Sequence, residues 1–148
     1  MIISIGCDHT GHDLKNAIIN LLTCDGKIVN DLPSCADDEF PEIGERIAHD
    51  VVSRKSDFGI IICGTGIGIS ISANKVPGAR AALCTDSFCA KMTRLHNDAN
   101  ILALGSRIVG LDLALDIVST FFATEFSNEE RHVRRLGKIT KLDERLRR

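Results

Sequence analysis

Cys63 stands directly before three alternating glycines, in the run Cys63-Gly64-Thr65-Gly66-Ile67-Gly68. Gly64, Gly66 and Gly68 allow positive φ and let the backbone come close to a ligand. Successive N–H groups in such a loop, with a helix starting just after it, form an anion-binding nest. A helix N-terminus also favours the thiolate form of a neighbouring cysteine. The loop is not a nucleotide-binding Walker loop, since no Gly-Lys-Ser/Thr follows. It is not a dinucleotide fingerprint either: counted from Gly66 and Gly68, the third glycine position holds Ile71. The plainer alternative is a tight strand-to-helix turn, with Cys63 as inert core.

Four further places carry polar groups suited to chemistry. Asp8-His9 follows an apolar run, where it could bind a ligand or merely cap a helix. His96-Asn97-Asp98 closes a helix, where a histidine can also simply meet the helix dipole. Arg131 and Arg135 are four apart and share one helix face. Paired guanidiniums suit a phosphate, though a solvated basic face is the commoner outcome. Arg107 follows a fifth apolar run.

The elements that must hold these residues alternate. Strands are expected at Ile2 to Cys7, Lys27 to Leu32, Phe58 to Ile62, Ala79 to Cys84 and Asn100 to Leu104. Phe58 to Ile62 is apolar on both faces, as a central parallel strand should be. Leu14, Ala17, Ile18, Leu21 and Leu22 make one apolar stripe on a helix from Gly11 to Cys24. Further helices are expected from Pro41 to about Arg54, from Ile69 to Lys75, and from an Asp86 cap to about His96. Two more follow, one with Ala114, Ile117, Val118, Phe121 and Phe122 on one face, the last from near Asn128. A polar loop, Pro33 to Phe40, lies between the second strand and second helix. This alternation predicts an α/β fold with an open five-stranded parallel sheet covered on both faces, in one domain over 1–148. Ligands of such folds bind beyond the carboxyl ends of the strands. Asp8, His9, the Cys63 loop and Arg107 fall there. His96 and Asn97 fall at the opposite end of the fifth strand, so one subunit is not expected to hold the whole site.

Composition excludes several partners. The chain has 148 residues, 44% of them hydrophobic, enough for a real core. With 18 basic and 20 acidic side chains, it offers no field for nucleic acid or an anionic membrane. Basic residues crowd only toward the C-terminus, a local excess suited to a small anion. No apolar run approaches the roughly 20 residues that span a bilayer. The 6 cysteines include no CxxC pair and no metal-ligand spacing. No secretory leader is read at Met1. A soluble, cytoplasmic protein with free thiols is expected.

Four stretches occur together in this order: GCDHTG, ICGTGIGISISANK, RLHNDANILALGSR and RHVRR. Together they closely resemble the ribose-5-phosphate isomerase B family, which is grouped with the galactose-6-phosphate isomerase subunits. The resemblance covers essentially the whole chain. It implies a Rossmann-like three-layer sandwich, a sugar-phosphate substrate, no metal or organic cofactor, and homodimers or dimers of dimers with composite active sites. It implies interconversion of ribose 5-phosphate and ribulose 5-phosphate in the pentose phosphate pathway, through a cis-enediolate. A hexose relative, allose 6-phosphate or galactose 6-phosphate, is the alternative substrate. By resemblance, Cys63 is the base that moves a proton between C2 and C1. Thr65 supports the thiolate or a substrate hydroxyl, and N–H groups from Gly64 through Gly66 and Ile67 to Gly68 meet the enediolate oxygen. His96 is the acid of furanose opening. Asp8 and Asn97 bind hydroxyls, and His9, Arg107, Arg131 and Arg135 bind the phosphate, Arg107 for a neighbouring subunit. Two positions depart from the family pattern. Ile69 stands where one branch carries a glutamate base, and Phe40 stands where tyrosine is frequent.

Overall fold

The computed structural model describes residues 1–33 and 39–146. Cys35 and part of the expected polar loop lie outside that range. The element order is β1 (Ile2–Cys7), α1 (His12–Cys24), β2 (Ile28–Asp31), α2 (Phe40–Val52), β3 (Phe58–Cys63), α3 (Ile67–Ala73), β4 (Ala81–Leu83), α4 (Ser87–Asn97), β5 (Ile101–Gly105), α5 (Leu111–Ala123) and α6 (Glu130–Leu146). All strand pairs are parallel, in the order β2-β1-β3-β5-β4. The α/β sandwich expected from the alternation is therefore present. Among the described residues, no helix is long and apolar enough to cross a membrane.

Strand alternation sorts the core. Ile60 and Ile62 of β3 and Leu102 and Leu104 of β5 pack with Leu14, Ile18, Ile117 and Phe121 of α1 and α5. Ile61 and Cys63 of β3 and Ile101 and Ala103 of β5 face Ile43, Ile47 and Ile69 of α2 and α3. Both sheet faces are thus covered, as an all-parallel sheet requires.

Three boundaries differ from expectation for identifiable reasons. The strand expected to stop at Ile62 includes Cys63, which pairs with Gly105. The helix expected from Ile69 starts at Ile67, because Gly66 takes φ +76° and turns the chain sharply. β4 is shorter than its apolar run, at Ala81–Leu83. Other local signals act as expected. Pro41 occupies the first turn of α2. The Asp86 carboxylate caps α4 by accepting the Cys89 N–H at 2.7 Å, which lowers its pKa.

Candidate active site

The chain leaves β1 toward β2 on one side and β3 toward β4 on the other. The sheet order therefore reverses between adjacent β1 and β3, where a crevice opens at their carboxyl ends. Asp8 follows β1 there, Cys63 ends β3, and Gly105-Ser106-Arg107 ends β5 next to it. These three strand ends converge on the glycine loop.

Cys63 is only 5% exposed, and the Gly66 N–H donates to its Sγ at 3.1 Å. The loop's shape depends on glycine at two places. A Cβ on Gly66 would come within 2.5 Å of Leu83 Cδ1 and 2.9 Å of the Leu104 carbonyl carbon. A Cβ on Gly105 would lie 2.6 Å from the Thr65 carbonyl, so β5 and the loop touch backbone to backbone. The Thr65 side chain is turned along the chain. Its Oγ1 accepts the Ile67 N–H at 3.3 Å, and the residue is exposed. Two of the N–H groups expected to face an anion are thus engaged within the loop, one of them by the sulfur itself. Gly68 lies under the Phe40 ring, whose Cε2 would be 2.7 Å from an added Cβ. Phe40 is therefore a wall of the loop even without a hydroxyl.

Asp8 is 7% exposed. Its Oδ1 accepts both the Thr10 N–H at 2.9 Å and the Thr10 Oγ1–H at 2.6 Å. Ser106 Oγ lies 3.1 Å from Thr10 Oγ1 and 3.3 Å from the Cys63 carbonyl oxygen. A polar chain thus ties the carboxylate to the cysteine's own backbone. Thr10 and Ser106 were not singled out from sequence, because each reads as an ordinary turn residue and only the folded chain brings them together. Arg107 donates its N–H to the Gly64 carbonyl at 3.0 Å. Its guanidinium Nη1 would lie 3.7 Å from a Cβ on Gly64, so this cation borders its own subunit's loop. His9 and Arg107 are exposed at this rim.

The other buried cysteines have no such setting. Burial pushes the Cys7 thiol up to about 11 and the Cys84 thiol up to about 12. Among the described residues, no group of three or more His, Cys, Asp or Glu side chains converges as metal ligands do.

His96 and Asn97 lie where the sequence placed them, at the end of α4 beside the N-terminal end of β5. The structure brings Arg131 and Arg135 to the same corner through His132 of α6. The His132 ring packs against His96 in a tilted contact, with centroids 4.3 Å apart and planes at 42°. His132 is buried, and its pKa is lowered first by that burial, then by His96 and Arg131, with Glu129 opposing and Arg135 adding. Asn97, Arg131 and Arg135 are exposed. The candidate residues thus form two groups, one at each end of the sheet.

Residues 3–139 match the family described as Ribose/Galactose Isomerase. The chain belongs to that family. It is 41% identical over 145 residues to the Escherichia coli K12 protein named ribose-5-phosphate isomerase B, spanning 97% of each chain. It is 41% identical over 128 residues to Clostridium acetobutylicum galactose-6-phosphate isomerase subunit LacB, covering 85% of this chain and 74% of that one. A solved structure of Clostridium thermocellum ribose-5-phosphate isomerase B superposes with a TM-score of 0.95 at 51% identity, over 99% of both chains. This ribose/galactose isomerase is thus an aldose–ketose isomerase of sugar phosphates, built on the family's Rossmann-like sheet.

Proposed function

We propose that this isomerase interconverts D-ribose 5-phosphate and D-ribulose 5-phosphate, with Cys63 as the base. The observation that carries the assignment of the base is the Gly66 N–H aimed at a buried Cys63 sulfur beside Asp8. A donor so placed suits an anionic sulfur better than a neutral one. A C–H next to a carbonyl is a weak acid, so the base must be fixed against it and donors must meet the oxyanion that forms. In the aldose direction, Cys63 removes the C2 proton, the electrons move to the carbonyl oxygen, and an enediolate results. The hydroxyl proton on O2 passes to O1, and the same thiol returns the carbon-bound proton to C1 as the C2 carbonyl forms. Loop N–H groups stabilise the enediolate oxygen. Ile69 leaves no carboxylate at the alternative base position.

Ribose 5-phosphate exists mainly as a furanose, so the ring must open first. His96 supplies the proton that the ring oxygen takes up as its bond to C1 breaks, while the C1 hydroxyl gives up its proton to solvent and becomes the carbonyl. Asp8 and Asn97 hold hydroxyls, Thr65 lines the reacting end, and His9, Arg107, Arg131 and Arg135 hold the phosphate. The phosphate does not react, and its binding energy orients the rest of the molecule.

The two half-sites lie at opposite ends of one sheet, so the working enzyme is a dimer or dimer of dimers in which His96, Asn97, Arg131 and Arg135 serve a partner's Cys63 loop. Mixing Cys63→Ala with His96→Asn subunits tests this. Symmetry predicts recovery of about a quarter of native activity, because random mixed dimers keep one intact site. No recovery after verified subunit exchange would place the whole site in one chain.

Substrate choice is tested by comparing kcat/KM on ribose 5-phosphate, allose 6-phosphate and galactose 6-phosphate. Pentose preference supports the assignment, and faster turnover of either hexose overturns it.

A further inference from the structure

We propose that His132 is the positioning residue for His96: it holds the His96 imidazole by its ring face and is itself anchored through Ser127. The inference rests on the assignment of His96 to ring opening.

No hydrogen bond to the His96 side chain is found among the described residues. An acid near the end of a helix, with two free torsions, would sample many directions, and a misplacement of 1 Å can cost about 10²-fold in rate. The fixed contact it has is the His132 ring at 4.3 Å. His132 is suited to that task. It is 2% exposed on a helix whose other faces are largely open to solvent. Its Nδ1 lies 2.7 Å from Ser127 Oγ, and that oxygen also accepts the Glu129 N–H at 3.3 Å. The Ser127 N–H donates to the Leu95 carbonyl at 3.0 Å, on the residue preceding His96. The support therefore runs from the His96 turn of α4, through Ser127, to the ring that faces His96, and closes on itself.

A phenylalanine or leucine would fill the same space without burying a polar ring. Imidazole adds an anchor point at Nδ1 that neither could offer. Burial and the cations around it keep His132 neutral, with Arg131 and Arg135 on its own helix, His96 on α4, and Glu129 opposing. Arg94, the other nearby cation on α4, is engaged by Asp98 and the Ala99 carbonyl.

The test uses the two directions of the reaction. Ribose 5-phosphate is a ring that must be opened. Ribulose 5-phosphate is open-chain, because the hydroxyl that could close a five-membered ring carries the phosphate. From ribulose 5-phosphate, the open-chain aldose can leave the enzyme and close in solution, so a residue that positions the ring-opening acid should matter chiefly in the other direction. For His132→Ala, kcat from ribose 5-phosphate is expected to fall about 10- to 10²-fold, while kcat from ribulose 5-phosphate stays within about twofold. Ser127→Ala should show the same split, smaller. His132→Phe, which keeps a ring face but loses the Nδ1 anchor, should recover part of the loss and retain a deficit like that of Ser127→Ala.

An equal fall in both directions would make His132 merely structural and overturn the proposal, as would no fall in either. His96→Asn is measured alongside. If it shows no split, the assignment of His96 to ring opening fails and takes this inference with it. If it splits and His132→Ala does not, this inference fails alone.

Discussion

The two proposed half-sites are built on different principles. At the carboxyl ends of β1, β3 and β5, Asp8 and Cys63 are buried and backbone-fixed, with His9, Thr65 and Arg107 exposed around them. Asp8 is locked by Thr10, the Cys63 sulfur receives the Gly66 N–H, and Gly105 packs against the Thr65 backbone. At the α4–α6 corner, the groups are side chains on helices, and Asn97, Arg131 and Arg135 stand in solvent. The contrast fits the tasks proposed for them. Proton transfer at carbon needs the base and oxyanion donors held within fractions of an ångström. A phosphate carries charge on three oxygens and accepts long, mobile cations from several directions. Precision is placed in the backbone, and grip in the side chains.

Removing the sulfur should give the largest effect on this contrast. Cys63→Ala is expected to fold and to bind sugar phosphate, while kcat falls at least about 10²-fold, the usual scale of an acid–base group. Steady-state kinetics with a circular-dichroism melt checks both parts. Near-native kcat would move the base elsewhere.

Truncation on the gripping side should act on KM. Arg135 has no salt-bridge partner among the described residues, whereas Arg131 pairs with Glu129 at 2.8 Å. Arg135→Ala should raise KM by roughly tenfold, the scale of one charge-assisted hydrogen bond of about 1.5 kcal/mol, with kcat much less affected. Added salt should weaken native binding more than binding by the variant. A loss confined to kcat would place Arg135 at the reacting end.

Thiol reactivity sharpens the contrast between cysteines on the same strand ends. Cys7 ends β1 much as Cys63 ends β3, yet burial raises its pKa to about 11, and Cys84 to about 12. At pH 8 each should be about 10⁻³ thiolate or less, and inert to iodoacetamide in the native enzyme. Alkylation of Cys63 should accompany inactivation, and bound substrate should slow both. Peptide mapping after partial inactivation reads this directly. Inactivation that tracks Cys7 or Cys84 would reverse the reading.

Much of the precise half was legible in the sequence, and less of the gripping half. Alternating apolar runs gave the sheet, because the central strands β1, β3 and β5 are buried on both faces and helices carry clear stripes. The glycine spacing marked the loop, because positive φ at Gly66 and close backbone approach leave a mark in residue type. Thr10 and Ser106 left none: an Asp-His-Thr turn and a Gly-Ser-Arg turn become one polar chain only after β1 and β5 flank β3. His132 was hidden differently. Beside Arg131 and Arg135 it reads as one more basic residue, yet its spacing of four from half-buried Leu136 puts it on the inner face of α6. The opposite placement of His96 and Cys63 was legible, because strand direction alone decides it.

The smallest expected effect concerns His132 and pH. Its folded pKa is lowered chiefly by burial, so the folded state refuses a proton that the unfolded state accepts. Below the ordinary histidine value of about 6.5, the unfolded chain binds more protons, and stability must fall with pH. The loss begins as pH drops through that ordinary value and levels off below the lowered folded value. His132→Phe removes this contribution, so its melting temperature should decline less between pH 7.5 and 5.5 than that of the native protein at equal subunit concentration. The comparison is made between slopes, which separates proton linkage from any constant cost of the substitution. Identical slopes would mean that His132 takes up its proton as readily in the folded state as in the unfolded one.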